Sequence, residues 1–231
     1  MHADQPVALV TGATGGMGGE IVADLAATHR VVAVGRNAER LAALRERTGA
    51  ETWQLDLTDT AAMETRVAEL DRLDVLANVA AIARPLSVAD ATQDDWEAHF
   101  ATDVTAPALL TRAALPLLRR AEGTVVFIGS GASTRPVPGS AVYTASKHAL
   151  RGIADVLRID EEPHRVRVVT VSPGQTDTDM LRAMVPADAY TPERYISPRS
   201  IAASVRFVID APQDVHITDL PVRPRQEISR L

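Results

Sequence analysis

The chain has 231 residues, 46% of them hydrophobic and only 3% aromatic, so Ala, Val and Leu must supply most of a core that one α/β domain can hold without staples. A formal net charge of −6 argues against nucleic-acid or anionic-membrane partners, because both need a basic surface. The absence of cysteine excludes disulfides, thiolate catalysis and Cys-ligated metals.

Residues 1–6 contain no basic segment followed by an apolar run and read as a short disordered lead-in, not a signal peptide. Val7-Ala8-Leu9-Val10 is a buried run ending at Gly12, and helical spacing follows over 16–28 through Met17, Ile21 and Leu25. A second apolar run at 31–34 precedes a helix at 38–47 built on Leu41 and Leu44. The pattern then predicts a strand at 53–55, a helix at 60–70 and a strand at 75–77 ending at Asn78. A long helical region at 93–120 precedes a β-branched run at 124–128, and a helix at 140–161 precedes a strand at 166–171.

Apolar runs without polar alternation suit strands buried on both faces, and helices between them imply a parallel sheet. The repeated strand–helix order up to about residue 172 therefore predicts an α/β fold. It is a single doubly wound, Rossmann-like sheet with helices on both faces, in one domain spanning 1–231. After Pro173 the pattern breaks. Residues 174–198 hold a short helical hint at 179–184 among Pro186, Pro192 and Pro198, before a helix at 199–210 and a strand at 217–222. This stretch follows the carboxyl end of a strand, where such sheets bind ligands, so it reads as a substrate lid or as a mobile surface loop. No apolar run of about 18 residues occurs, and the expected location is cytoplasmic. The six histidines lack metal-ligand spacing, so no metal is expected.

The segment from Thr11 to Gly19 follows the first strand and opens the first helix. Gly12 permits a turn with positive φ, Gly16 and Gly18 permit close approach to a pyrophosphate, and the helix N-terminus offers free N–H groups to an anion. The spacing Gly12-x-x-x-Gly16-x-Gly18 resembles the short-chain dehydrogenase/reductase family. Asp56-Leu57-Thr58-Asp59 is similar to that family's adenine-contacting segment, and Asn78-Val79-Ala80-Ala81 to its Asn-Asn-Ala-Gly segment. Val79 and Ala81 there replace a polar residue and a glycine. Pro173-Gly174 is similar to the nicotinamide-side loop. The resemblance implies cofactor contacts from Gly12, Thr14, Gly16, Met17 and Gly18, from Asp56, Leu57, Asn78 and Ala80, and from Pro173, Gly174, Thr176 and Thr178.

Cofactor choice turns on the end of the second strand, where an NAD enzyme usually places a carboxylate. Here the sequence is Gly35-Arg36-Asn37. The planar fork of Arg36 suits a 2′-phosphate, so NADP is expected over NAD, with Arg36 and Asn37 at the cofactor; the alternative is a solvated arginine at a helix start.

Tyr143-Thr144-Ala145-Ser146-Lys147 places a phenol and an ammonium one helical turn apart on the same face. A free phenol ionises too far above neutrality for proton transfer, and a neighbouring cation favours the phenolate. Of 24 basic residues, 23 are arginine and only Lys147 is lysine, although the composition otherwise favours arginine throughout. The family resemblance gives Tyr143 the role of general acid/base and gives Lys147 a second role on the nicotinamide ribose, so both also count as cofactor contacts. It assigns Ser130, thirteen residues before Tyr143, to hold the substrate oxygen. Asp103 stands where the family's catalytic asparagine is expected, which removes the amide's donors and adds a charge near Lys147.

These residues imply hydride transfer between NADP(H) and a small-molecule carbonyl or secondary alcohol. The alternative is a regulator that binds NAD(P) on the same fold without turnover. Met180, Met184, Tyr190 and Tyr195 indicate a partly apolar pocket. The resemblance also implies a homodimer or homotetramer, with the helical regions 93–120 and 140–161 paired across a two-fold axis.

Overall fold

The computed structural model describes residues 5–226, so most of the expected lead-in, residues 1–4, lies outside the described residues. Seven strands form one parallel sheet in the order β3-β2-β1-β4-β5-β6-β7. They are β1 (Val7–Val10), β2 (Arg30–Gly35), β3 (Glu51–Gln54), β4 (Val75–Asn78), β5 (Thr124–Ile128), β6 (Arg167–Pro173) and β7 (Asp219–Val222). Every residue of β1, β4 and β5 is buried, as strands covered on both faces require.

The two-residue repeat of a strand divides the core into two layers. Ala8, Val10, Val126 and Val169 face α1 (Gly16–Leu25) and α8 (Pro198–Ile209), meeting Ile21, Leu25, Val205 and Val208. Leu9, Leu76, Phe127 and Val168 face α5 (Ala106–Ala121) and α6 (Ala141–Asp160), meeting Leu110, Leu118, Leu150 and Ala154. The chain steps outward from β1 to β3 and then returns to place β4 on the other side of β1. The crevice between the carboxyl ends of β1 and β4 is therefore the point where ligands bind in such sheets.

Local chemistry sets the helix ends. Asn37, Asp59 and Thr92 cap α2 (Ala38–Thr48), α3 (Thr60–Ala68) and α4 (Gln93–Phe100), and Thr92 forms a reciprocal capping box with Asp95. The helix expected at 93–120 is continuous but not uniform: a π-turn, Ala101–Thr105, separates α4 from α5. Helix α1 ends at Leu25, earlier than its apolar spacing suggests, because the Ala27 and Thr28 N–H groups close onto Asp24 and Leu25, three residues back instead of four.

The irregular stretch after β6 contains a single helical turn, α7 (Asp179–Arg182), and a short 3-10 turn, Pro192–Arg194. A bridge between Thr176 and Ile196 draws its two ends together. Among the described residues no helix is long and apolar enough to cross a membrane.

Candidate active site

Strand β1 runs directly into the glycine turn. The Thr11 hydroxyl accepts from the backbone N–H groups of Val79 (2.9 Å) and Ala80 (3.1 Å), tying together the two strand ends that form the crevice. Gly12 has φ +63°, and a Cβ there would lie 2.8 Å from the Ala80 Cα. A Cβ on Gly18 would lie 2.2 Å from the Gly12 carbonyl oxygen, so only glycine lets α1 start beneath the turn. No side chain caps α1 at Gly15, and its first N–H groups face the turn without an internal partner. Beside the turn lies a cavity of about 500 Å³ lined by Gly12, Arg36, Asp56, Leu57, Ala80 and Ile82. A backbone cradle for an anion next to a cavity of this size fits a dinucleotide.

Arg36 extends into solvent at the cavity mouth, 73% exposed, with its nearest carboxylate oxygen, from Asp56, 3.9 Å away. Asp56 accepts from the Thr58 N–H (3.0 Å) and hydroxyl (2.8 Å); these bonds, backbone first, and the Arg36 charge hold its carboxyl below the usual range. Thr14 packs its methyl against Gly35, where a Cβ would be only 2.7 Å away.

Several of the expected contact residues also have partners within the protein. The side-chain oxygen of Asn37 accepts from Arg40 N at 2.9 Å and so serves as a helix cap. The Asn78 amide is buried and donates to Thr111 Oγ1 (3.2 Å), bracing β4 on α5 instead of lining the cavity. Met17 packs partly into the core. The Thr176 hydroxyl donates to the Gly174 carbonyl (3.0 Å), and Thr178 caps α7. The Thr178 methyl nonetheless sits 3.1 Å from where a Cβ of Gly16 would be, which brings this segment onto the glycine turn.

One residue at this end of the sheet escapes a linear reading: Arg40, in the first turn of α2, whose Nη1 lies 3.2 Å from both the Thr14 carbonyl and Asp179 Oδ2. Its place four residues after Arg36 was the available signal.

The second constellation is carried by α6. Lys147 is 2% exposed, its Nζ is 5.8 Å from the centre of the Tyr143 ring, and it donates to the Ile128 carbonyl at 3.2 Å. Ile128 ends β5, so the strand that anchors the lysine also delivers Ser130 two residues later. Ser130 starts a 3-10 turn, Gly131–Ser133, which packs against α6. Its Oγ accepts from the Ala132 N–H at 3.1 Å, which leaves the hydroxyl proton for another acceptor. Ser133 Oγ accepts from the Ser130 N–H at 3.1 Å and so stabilises the turn. His148 is exposed, and its Nδ1 lies 2.9 Å from the Thr144 carbonyl, outside the Tyr143–Lys147 face.

Asp103 is 1% exposed inside the π-turn. Its Oδ1 accepts from the Ile82 N–H (2.8 Å) and its Oδ2 from the Ser146 hydroxyl (3.0 Å), which is also 2.9 Å from the Tyr143 carbonyl. The loss of amide donors expected here carries no penalty, because both neighbours donate and a carboxylate needs only donors. Asp103 thereby ties the loop after β4 to the helix that carries Tyr143 and Lys147.

The model of the short chain dehydrogenase family matches residues 6–189. The chain is 31% identical over 230 residues to a short-chain type dehydrogenase/reductase of Sinorhizobium fredii, covering 96% of this chain and 92% of the relative. It is 34% identical over 234 residues to the NADP-dependent 3-hydroxy acid dehydrogenase YdfG of Salmonella typhi, covering 94% of each. Among solved structures, the closed form of a serine dehydrogenase complexed with NADP+ superposes with a TM-score of 0.90 at 30% identity. That match covers 97% of this chain and 98% of the other. The chain belongs to the short-chain dehydrogenase/reductase family.

Proposed function

We propose that the protein transfers a hydride between NADP(H) and a carbonyl or secondary alcohol, with Tyr143 as the general acid/base. That it is an NAD(P)-dependent oxidoreductase acting on a CH–OH group follows from its family and its relatives. NADP is named for the Salmonella typhi relative and bound in the serine dehydrogenase structure, and Arg36 at the cavity mouth supports the same choice here. The bound nicotinamide supplies the hydride donor or acceptor. In the reduction direction the Tyr143 phenol gives its proton to the developing alkoxide, and in oxidation the phenolate takes one from the alcohol. Lys147 sets its ammonium 5.8 Å from the centre of the Tyr143 ring and would hold the ribose hydroxyls. Ser130 donates to the substrate oxygen, and Asp103 positions α6 without touching the reacting atoms.

The observation that carries this reading is the Lys147 ammonium, buried and held by the Ile128 carbonyl one helical turn from Tyr143. We read 174–198 as the substrate lid of a single domain, rooted on the glycine turn by Thr178. The experiment is a screen of aldehydes, ketones and hydroxy acids with NADPH or NADP+, with hydroxy acids first because relatives are named for them. Turnover of at least one pair is expected; cofactor binding with no turnover across the screen would instead favour the non-catalytic regulator.

A further inference from the structure

We propose that the Asp103 carboxylate is a buried counter-charge for the oxidised nicotinamide, so that the site favours NADP+ over NADPH by more than its hydrogen bonds alone would. The inference rests on the reading of Tyr143 and Lys147 as the reacting centre, beside which the nicotinamide must lie to exchange its hydride.

Asp103 stands one layer behind the wall of the cofactor cavity. The two residues before it, Ala101 and Thr102, line that cavity, and so does Ile82, whose N–H donates to Asp103 Oδ1 at 2.8 Å. On the other side Oδ2 accepts from the Ser146 hydroxyl at 3.0 Å, and Ser146 directly precedes Lys147. Asp103 is 1% exposed and Lys147 2%. Each is held by neutral groups, Asp103 by an amide and a hydroxyl, and Lys147 by the Ile128 carbonyl. Neither has a salt-bridge partner among the described residues, so each buried charge acts on its surroundings with little screening by water. The other charged side chains that line the cavity, Arg36, Asp56, Asp94 and Glu97, are exposed and screened by solvent.

The two redox forms of the cofactor carry the same phosphates and differ by one positive charge, on the ring of NADP+. A fixed anion acts on the phosphates of both forms alike, and that effect cancels when the forms are compared. Only the oxidised ring is attracted to it. Lys147 repels that ring, and Asp103 offsets the repulsion. An asparagine could keep the hydrogen bonds to Ile82 and Ser146 but would bring no charge. Positive charge develops on the ring as hydride leaves NADPH, so the same carboxylate favours the transition state of carbonyl reduction. In alcohol oxidation the ring starts with its full charge and loses it, and the carboxylate gives no such help.

The test titrates NADP+ and NADPH by calorimetry against the wild-type, Asp103→Asn, Asp103→Ser and Ser146→Ala proteins. In Asp103→Asn the ratio of the two dissociation constants should move toward NADPH by roughly three- to tenfold, and in Asp103→Ser it should move in the same direction. Ser146→Ala keeps the charge while removing one of its hydrogen bonds, and should leave the ratio as in the wild type. A role confined to holding the loop or α6 would change both affinities together. Single-turnover rates on one carbonyl and alcohol pair should also part, with hydride donation slower in Asp103→Asn and hydride acceptance not. An unchanged ratio in both Asp103 variants, an equal shift in Ser146→Ala, or equal slowing in the two directions would overturn the proposal. If the ratio is unchanged while Tyr143→Phe abolishes turnover, this inference fails and the reacting centre stands. Wild-type turnover in Tyr143→Phe would remove the reacting centre, and with it the place given to the nicotinamide.

Discussion

Arg40 and Asp179, 139 residues apart in sequence, meet at 3.2 Å, and the same Arg40 nitrogen lies 3.2 Å from the carbonyl of Thr14. One guanidinium thus joins three pieces of chain: the glycine turn after β1, the helix that follows β2, and the first turn of the segment we read as the lid. Both partners of the ion pair are more than half exposed, so the contact adds little to stability and acts mainly to hold position.

Arg36 and Arg40 should therefore separate in a mutational test. Arg36→Ala should weaken NADPH binding about tenfold and leave NADH binding unchanged. That is the lower end of what a charged contact contributes, because Arg36 is strongly solvated. Arg40→Ala should also speed amide hydrogen exchange over 179–184, which Arg36→Ala should not. Cofactor titrations and exchange mass spectrometry check both; equal NADPH and NADH affinities in the wild type would remove the role given to Arg36.

Tyr143→Phe should lower turnover by about 10²–10⁴-fold with little change in NADPH binding, because only the phenolic hydroxyl is lost. Lys147→Arg should impair both. The ammonium fits a buried site against the Ile128 carbonyl, and a guanidinium is too broad to occupy it without moving β5 or α6. Rates on a substrate from the screen, with NADPH binding followed by fluorescence, distinguish the two variants.

Much of this architecture is legible in the sequence for a simple physical reason. Strands such as Thr124–Ile128 are buried on both faces and announce themselves as unbroken apolar runs, and the glycine turn is demanded by backbone contacts that no side chain would survive. The π-turn at Ala101–Thr105 is invisible because helical propensity and apolar spacing run through it unchanged. Asn37 and Asn78 illustrate a second limit: a motif locates a residue, but its side-chain partner is chosen by the fold, here the Arg40 N–H and Thr111. Contacts such as Arg40 with Asp179, or Arg223 with Gly131, depend on strand order and have no local signature.

Asp103→Asn should be well tolerated, and Asp103→Ala should not. In the asparagine variant Oδ1 still accepts from Ile82, and the Ser146 hydroxyl can turn to accept from the amide while donating to the Tyr143 carbonyl. Alanine leaves the Ile82 N–H without its side-chain acceptor, at a cost of about 1–3 kcal/mol. Thermal melts of the two variants, read beside their turnover, test this ordering; an asparagine variant as unstable as the alanine one contradicts it.

A pH-dependent contribution to stability should come from Glu161. Its carboxylate is buried and accepts from Arg119 Nε (2.8 Å) and Nη2 (2.7 Å), joining the ends of α5 and α6, and the arginine holds its ionisation below the usual range. A depressed folded-state value means that the stabilisation is fully present above the unfolded carboxylate range and is lost as pH falls through the folded value. Glu161→Gln should melt about 2–6 °C below wild type at pH 7, and the gap should shrink as pH drops below about 4. A gap that widens in acid would contradict the sign.

Val156 and Ile159 are more than half exposed on α6, the helix expected to pair with its copy across a two-fold axis. The family resemblance predicts a dimer or tetramer, and replacing both residues with aspartate should shift light scattering toward the monomer. A wild-type protein that is already monomeric at micromolar concentration would exclude this assembly.

Because the 231 residues contain one lysine, and it lies buried beside the proposed proton donor, isotopic labelling of that amino acid marks a single side chain. A protein grown on ¹⁵N-labelled lysine has one ammonium resonance, which needs no assignment. Its chemical shift would follow cofactor arrival and proton movement at one atom, in solution and without a mutation.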